Sequence, residues 1–245
     1  MKKWLFVLPF ALALCAASAA HAQTKEIDRL GKAALIVDAI MQAPDHGIPS
    51  DFLNRAVCVG VIPSEKKLAF GLGANYGRGA MVCRRGGNGP WGAPSMIMIG
   101  GGSYGLQLGG EAADFVFIVM NADAAQKIMN RSLKLGVDAS AAAGPVGRRA
   151  EGATNAHFNA EILSYSRARG LFAGLSLSGA VLKVDDKANR KLYRRELEPQ
   201  TILLSGTVQP PPAATALDEV LAKYSPHGGA PVTRALTLSP RRKSS

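Results

Sequence analysis

The sequence predicts an α+β fold: a strongly curved antiparallel sheet, closed as far as a partial barrel, with helices packed on it. Three observations carry this. Strand-like runs are many and few helices fall between them, which argues against a doubly wound parallel sheet. Glycine is abundant, 27 of 245 residues against a usual share of roughly 7%. Many of these glycines lie inside the strand-like runs, where glycine marks bends, bulges or close backbone approach. A clear helical stripe precedes the strands, at residues 24–43.

The chain opens on a leader. Lys2 and Lys3 form a basic n-region, and Trp4 to Ala17 an apolar stretch too short to span a bilayer comfortably. Ala20-His21-Ala22 is a small-x-small cleavage site, so residues 1–22 are expected to be a signal peptide cut before Gln23. The mature chain is then periplasmic or secreted. Lipidation at Cys15 is disfavoured, because Leu14 stands where a small residue is needed.

Residues 24–43 place Ile27, Leu30, Ala34, Val37 and Met41 on one stripe, with Pro44 and Gly47 ending the helix. A short helical start follows at 49–56. Strands are expected at 57–62, 68–76 and 79–84, with turns at Pro63-Ser64-Glu65-Lys66 and Tyr76-Gly77-Arg78. After a loop at 86–94, strands are expected at 95–99, 105–109 and 115–120. Asn121 and Asp123 offer caps for a helix from Ala122 to about Leu133. In the second half, 137–143 and 156–166 read as strands, and 171–181 carries the clearest period-two alternation in the chain. Asp185 to Arg195 reads as a short basic helix. The expected domain is 23–208; residues 209–245 read as a Pro/Ala linker, a last helix near 216–224 and a basic tail.

A composition of 47% apolar and 19% charged residues is globular and excludes a disordered chain. The formal net charge is +11; losing Lys2 and Lys3 with the leader leaves +9, most of it beyond residue 135. An exported chain does not routinely meet nucleic acid. Its anionic partners are membrane head groups, lipopolysaccharide or acidic polymers. Two cysteines remain in the mature chain, Cys58 and Cys83, and an oxidising compartment favours one disulfide between them. With no CxxC and no histidine pair nearby, no metal site is expected.

Catalytic candidates are thin, and no enzyme is expected. Gly100-Gly101-Gly102-Ser103-Tyr104-Gly105 fits GxGxxG, but a strand-like run follows it and no helix is there to receive a pyrophosphate. No cofactor is expected. His46 and His227 lie in loop and tail; His157 begins a strand beside Asn155 and Asn159 with no partner in view. The close acidic pairs, Glu111 with Asp114 and Asp185 with Asp186, lack the surroundings of a glycosidase or metal site. The basic groups are more suggestive: Lys66-Lys67, Arg84-Arg85, Arg148-Arg149, Arg167 with Arg169, and Arg190-Lys191 with Arg194-Arg195. Most stand at strand ends, where several can share a rim, and the arginine fork suits phosphate.

A set of ordered motifs carries a resemblance. They are Ala56-Val57-Cys58-Val59-Gly60-Val61-Ile62-Pro63; Gly79 with Trp91-Gly92-Ala93-Pro94-Ser95; and the glycine run from Gly100 to Gly109. Val119-Met120-Asn121, Leu135-Gly136-Val137-Asp138, Ala143-Gly144-Pro145-Val146-Gly147-Arg148 and Tyr165-Ser166-Arg167-Ala168-Arg169-Gly170-Leu171-Phe172-Ala173-Gly174 follow in turn. Together, over roughly residues 27–205, they resemble the SYLF domain, also called the Ysc84 or actin-regulator lipid-binding domain. The resemblance implies binding rather than catalysis. Eukaryotic members look like phosphoinositide-binding modules of endocytic and actin-linked proteins, using an N-terminal amphipathic helix with a basic surface. Residues 24–43 match that helix in place, with Lys25, Arg29 and Lys32 as its basic side. The leader removes this chain from actin, and its layout resembles the exported bacterial members. The expected role is therefore an exported lipid-binding protein engaging an anionic phospholipid surface. The alternative is an envelope scaffold whose partner is a protein or polysaccharide.

Overall fold

The computed structural model describes the backbone of residues 7–43, 47–70, 72–103, 111–130, 132–146, 159–168, 171–174, 177 and 179–225. Helix α1 spans Val7–Met41, and the short α2 spans Ser50–Arg55. Strands β1 (Cys58–Phe70), β2 (Leu72–Cys83), β3 (Ser95–Ser103) and β4 (Glu111–Val119) follow, with β1 antiparallel to both β2 and β4, and β2 antiparallel to β3. Helix α3 (Ala122–Asn130) leads to β5 (Leu133–Lys134), β6 (Ala141–Ala143), β7 (Ile162–Ala168), β8 (Leu171–Gly174) and β9 (Val181–Val184). Helices α4 (Asp186–Tyr193), α5 (Pro199–Leu203) and α6 (Thr215–Tyr224) close the described chain.

Among the described residues the strands join one sheet in the order β5-β9-β3-β2-β1-β4-β7-β6, with β8 also paired to β7. The α+β expectation holds. One pair departs from the antiparallel rule, since β6 runs parallel to β7. The central strands are buried on both faces, and their alternation sorts side chains between two cores. Val59, Val61, Ala80, Val82, Val116 and Ile118 meet α1, α4 and α6 on one face. Cys58, Met81, Cys83, Ile97, Phe115, Phe117 and Val119 meet α3 and Leu203 of α5 on the other. The stripe of α1 packs on the sheet through Leu30, Ala34 and Val37, joined by Ile36 and Ile40. Ile27, read as part of that stripe, is 43% exposed.

Several expected boundaries move. Pro63 to Lys66 is not a turn: β1 continues through it, with the register against both β2 and β4 shifting between residues 61 and 66. It is a bulge, which bends a strand without ending it. Tyr76-Gly77-Arg78 lies inside β2 rather than in a turn. The 137–143 run splits into a turn after β5 and the short β6. The alternating 171–181 run is broken by Gly179, whose φ of 87° turns the chain before β9. The expected strand at 105–109 lies outside the described residues.

Cys58 and Cys83 face each other in register across β1 and β2 and are joined by a disulfide with an S–S distance of 2.06 Å. Closing 25 residues contributes about 3 kcal/mol on the chain-entropy account.

The Pro/Ala stretch is no loose spacer. Residues Pro212–Ala214 form a 3-10 turn with Ala214 fully buried, and α6 sets Leu217 and Leu221 into the core beside α1. Lys223 Nζ and the Tyr224 hydroxyl both reach Asp38 Oδ1 of α1, at 3.1 and 2.8 Å. On the same helix Asp218 is half-buried, and its buried Oδ1 accepts no hydrogen bond among the described residues. Burial pushes this carboxyl up to about 6, against a weaker opposing pull from Arg85. Native Asp218 therefore holds a proton that the unfolded chain has lost between about pH 4 and 6. Its contribution is full below that window and is lost as the pH rises through it, by about 1–2 kcal/mol once the side chain's partial exposure to solvent is allowed for. Urea midpoints at both ends of the window should show the drop, and Asp218→Asn should flatten it; an unchanged slope in the variant would assign the effect elsewhere.

Candidate functional site

Because Leu30, Ala34 and Val37 face the sheet, the neighbouring Lys25, Arg29 and Lys32 emerge along the flank of α1. They meet the bulge at Pro63 and the strand segment Tyr76–Arg78. Together they line a groove of 380 Å³, with Asp28 as the carboxylate on its lining. Lys32 pairs with Asp28 at 2.7 Å on the surface, whereas Arg29 is half-buried and lies 3.8 Å from the buried Glu26. Arg78 donates from Nε to the Tyr76 hydroxyl and stands over that ring at 5.7 Å. Its Nε is also 3.4 Å from Asp185 Oδ2, while Nη1 and Nη2 make no hydrogen bond among the described residues. Four cations thus border one small groove with a half-exposed aromatic ring.

Of the residues nominated from sequence, the structure gathers Lys25, Arg29 and Lys32. It adds Arg78, which the turn reading had set aside. Residues 76 and 78 share a face in a strand, and that spacing was the available signal.

Arg84 is corrected from a surface cation to a fully buried one. Its Nε donates to Ala56 O at 3.1 Å and Nη1 to Gly89 O at 3.2 Å. Nη2 donates to the carbonyl and hydroxyl oxygens of Ser225 at 3.1 and 2.5 Å. The guanidinium stacks 4.0 Å from the centre of the Trp91 ring. Among the described residues no carboxylate balances it, and burial lowers it to about 10. Ala56 and Ser225 cap the C-terminal ends of α2 and α6, where the helix dipole is negative. Arg84 therefore bolts the last helix to the sheet and is unavailable to a ligand.

Arg85 is exposed but lies elsewhere, beside Gly206. Arg167 is committed to Asp114 through Nε at 2.8 Å and Nη2 at 2.6 Å, as their pairing across β4 and β7 allows. The side chains of Lys66 and Lys67 lie outside the described residues, as do Arg148, Arg149, Arg169, His46, His157 and His227. Among the described residues no three His, Cys, Asp or Glu side chains are placed to hold a metal ion. No helix there is long and apolar enough to cross a membrane.

Fold and groove together define a curved-sheet α+β domain with a cationic surface groove. A family model described as Ysc84, Las17-binding protein actin regulator, matches residues 100–224. An SH3 domain-containing protein of Schizosaccharomyces pombe is 43% identical over 178 residues, covering 71% of this chain and 40% of that protein. LAS seventeen-binding protein 3 of Saccharomyces cerevisiae is 38% identical over 192 residues, 76% of this chain and 41% of its own length. Human SH3 domain-containing YSC84-like protein 1 is 35% identical over 190 residues, 76% of this chain and 55% of its own. The chain belongs to the Ysc84, or SYLF, family. It spans about two fifths to a half of the length of these relatives, and their names describe regulators and SH3-domain proteins, not enzymes.

Proposed function

We propose that this chain is an exported, non-catalytic protein of the cell envelope that binds anionic phospholipid head groups in the groove between α1 and β2. The observation that carries it is the gathering of Lys25, Arg29, Lys32 and Arg78 around one groove. Leu35 supports it, being 71% exposed one turn beyond Lys32 on the same helix. A cation beside an outward apolar side chain suits an interface where the apolar group enters the acyl boundary and the charges meet phosphate. Each such cation contributes roughly 1 kcal/mol to attraction by an anionic surface.

The test is flotation of protein beginning at Gln23 with phosphatidylcholine vesicles, with and without phosphatidylglycerol. Retention should require the anionic lipid and weaken with salt. The double variant Lys25→Glu, Lys32→Glu should lose about thirtyfold or more in affinity. Both side chains are exposed, so the fold should survive. Wild-type protein that fails to float at low salt, or a variant that floats equally well, would remove the proposal. A protein partner is the second reading, supported by relatives named for binding Las17; envelope fractions stripped of lipid but still retaining the chain would favour it.

A further inference from the structure

Helix α4 carries a second cationic surface. Its inner face is fixed, with Ala188, Asn189 and Leu192 buried. Asn189 accepts from Met96 N at 2.7 Å and donates to Ser95 Oγ at 3.0 Å, and Asp185 caps the helix by accepting from Ala188 N at 3.1 Å. On the opposite side Lys187, Lys191 and Arg194 stand at i, i+4 and i+7, one stripe about 10 Å long. All three are exposed, as is Arg195 just beyond them. Lys187 and Lys191 make no ion pair among the described residues.

The nearby acidic side chains lie to one side of this stripe. Asp186, Glu196 and Glu198 line a groove beside the start of α4, together with Lys187 and Arg190. Glu196 takes Arg190 at 2.7 Å, so Arg190 is spent there. Lys191, Arg194 and Arg195 are not on that lining. Asp186 and Lys191 are separated by about 140° around the helix.

Arg194 adds a second observation. Among the described residues it alone has a positive φ without being glycine, at 57°. It ends α4 in the left-handed turn that glycine fills at least cost. The helix dipole favours a cation near this end, but Lys191 and Arg195 already supply one without the strained position.

We infer that the outer stripe of α4 binds a linear acidic polysaccharide, laid along Lys187, Lys191 and Arg194 with Arg195 at its end. The stripe is straight, exposed and held rigidly, which suits a chain of repeated anions rather than a compact head group that needs walls. No large apolar side chain is exposed on α4, so it lacks what an interfacial helix inserts and what Leu35 offers beside Lys32. Nor does it offer a ring for bases to stack on, since Tyr193 is half-buried with its hydroxyl donating to Pro94 O at 2.6 Å. A hydrated polymer asks only for charge and for the hydrogen bonds of the arginine forks. The element, the cations and the ligand all differ from those of the head-group proposal.

The test titrates labelled polygalacturonate against protein beginning at Gln23 at low salt. The controls are neutral dextran and the galacturonate monomer at equal carboxylate concentration. The polymer should bind, more weakly as salt rises, and neither control should. Lys187→Gln with Lys191→Gln should weaken binding about tenfold, and both side chains are exposed, so the fold should survive. Arg194→Gly should weaken it about threefold while raising the thermal midpoint by about 2–4 °C, because glycine relieves the left-handed turn. Wild-type protein that ignores the polymer, a monomer that binds as well, or unchanged binding in either variant overturns the site. Phosphatidylglycerol vesicles form the last arm. If the lysine variant loses retention on them yet keeps the polysaccharide, the stripe serves a membrane and the inference falls. Wild-type protein that binds the polymer but fails to float would sink the head-group proposal alone.

Discussion

Arg84→Leu is expected to cost about 3–4 kcal/mol of stability and to release the C-terminal helix first. The guanidinium supplies hydrogen bonds to Ala56 O, Gly89 O and both oxygens of Ser225, and covers the ring of Trp91. Leucine fills part of the volume and satisfies none of these oxygens. Each buried acceptor left bare costs about 1–3 kcal/mol. Part of that is offset, because the native protein also carries the penalty of burying an uncompensated cation, visible in its lowered pKa. Trp91 Nε1 still donates to Ser225 O at 3.0 Å, so the end of α6 keeps one tie. Arg84→Lys retains the charge, but one ammonium cannot reach acceptors on three separate segments. It should lose about half as much. Urea denaturation gives the size of the effect, and hydrogen exchange along Thr215–Tyr224 gives its location. A leucine variant within about 0.5 kcal/mol of wild type would mean that the cluster is not what holds α6.

Arg84 also shows what the sequence could and could not disclose. Arg84-Arg85 reads as a basic pair, yet β2 ends just before it and Arg85 opens a 3-10 turn, Arg85–Gly87. The pair is therefore one buried residue and one exposed residue, and the turn that separates them is set by pairing at the end of β2 rather than by local pattern. The sheet itself was legible because β1 to β4 carry short apolar runs bounded by glycine- and proline-rich segments, the pattern of strands buried on both faces. The bulge was not, because Pro63-Ser64-Glu65-Lys66 has a turn's composition, and only pairing with strands on both sides carries the chain through it. The same competition hid Arg78, which a strand assignment would have placed beside Tyr76. The packing of α6 was foreshadowed by Leu217 and Leu221 at helical spacing. Their destination on α1 is a long-range contact that local pattern does not encode. Within the basic rim read from strand ends, Arg84 is buried and Arg167 is paired with Asp114, and the groove cations come from α1 and β2.

Gly79→Ala should be as damaging as the loss of Arg84, for a backbone reason. A Cβ at position 79 would lie 1.9 Å from Val61 O and under 3 Å from Val61 C and Ile62 Cα. These are main-chain atoms at the start of the β1 bulge, so no rotamer change relieves the overlap. The two central strands would have to separate, disturbing pairing on both sides of β1. A loss of about 3 kcal/mol or more is expected, with poor soluble yield as its first sign. Gly60 makes a related demand, since its Cβ would enter the ring of Phe117 on the paired strand β4. There the obstacle is a side chain and the adjustment is smaller. Gly31 is the control. It lies in α1, and a Cβ there meets nothing within 4 Å. Gly31→Ala should stabilise the protein by about 0.5–1 kcal/mol through helix propensity alone. If the two alanine variants shift the thermal midpoint in the same direction, the glycines of the sheet are not serving close backbone approach. Opposite shifts tie the unusual glycine content to a sheet bent around its own bulge, the curvature that brings α1 and Arg78 to one groove.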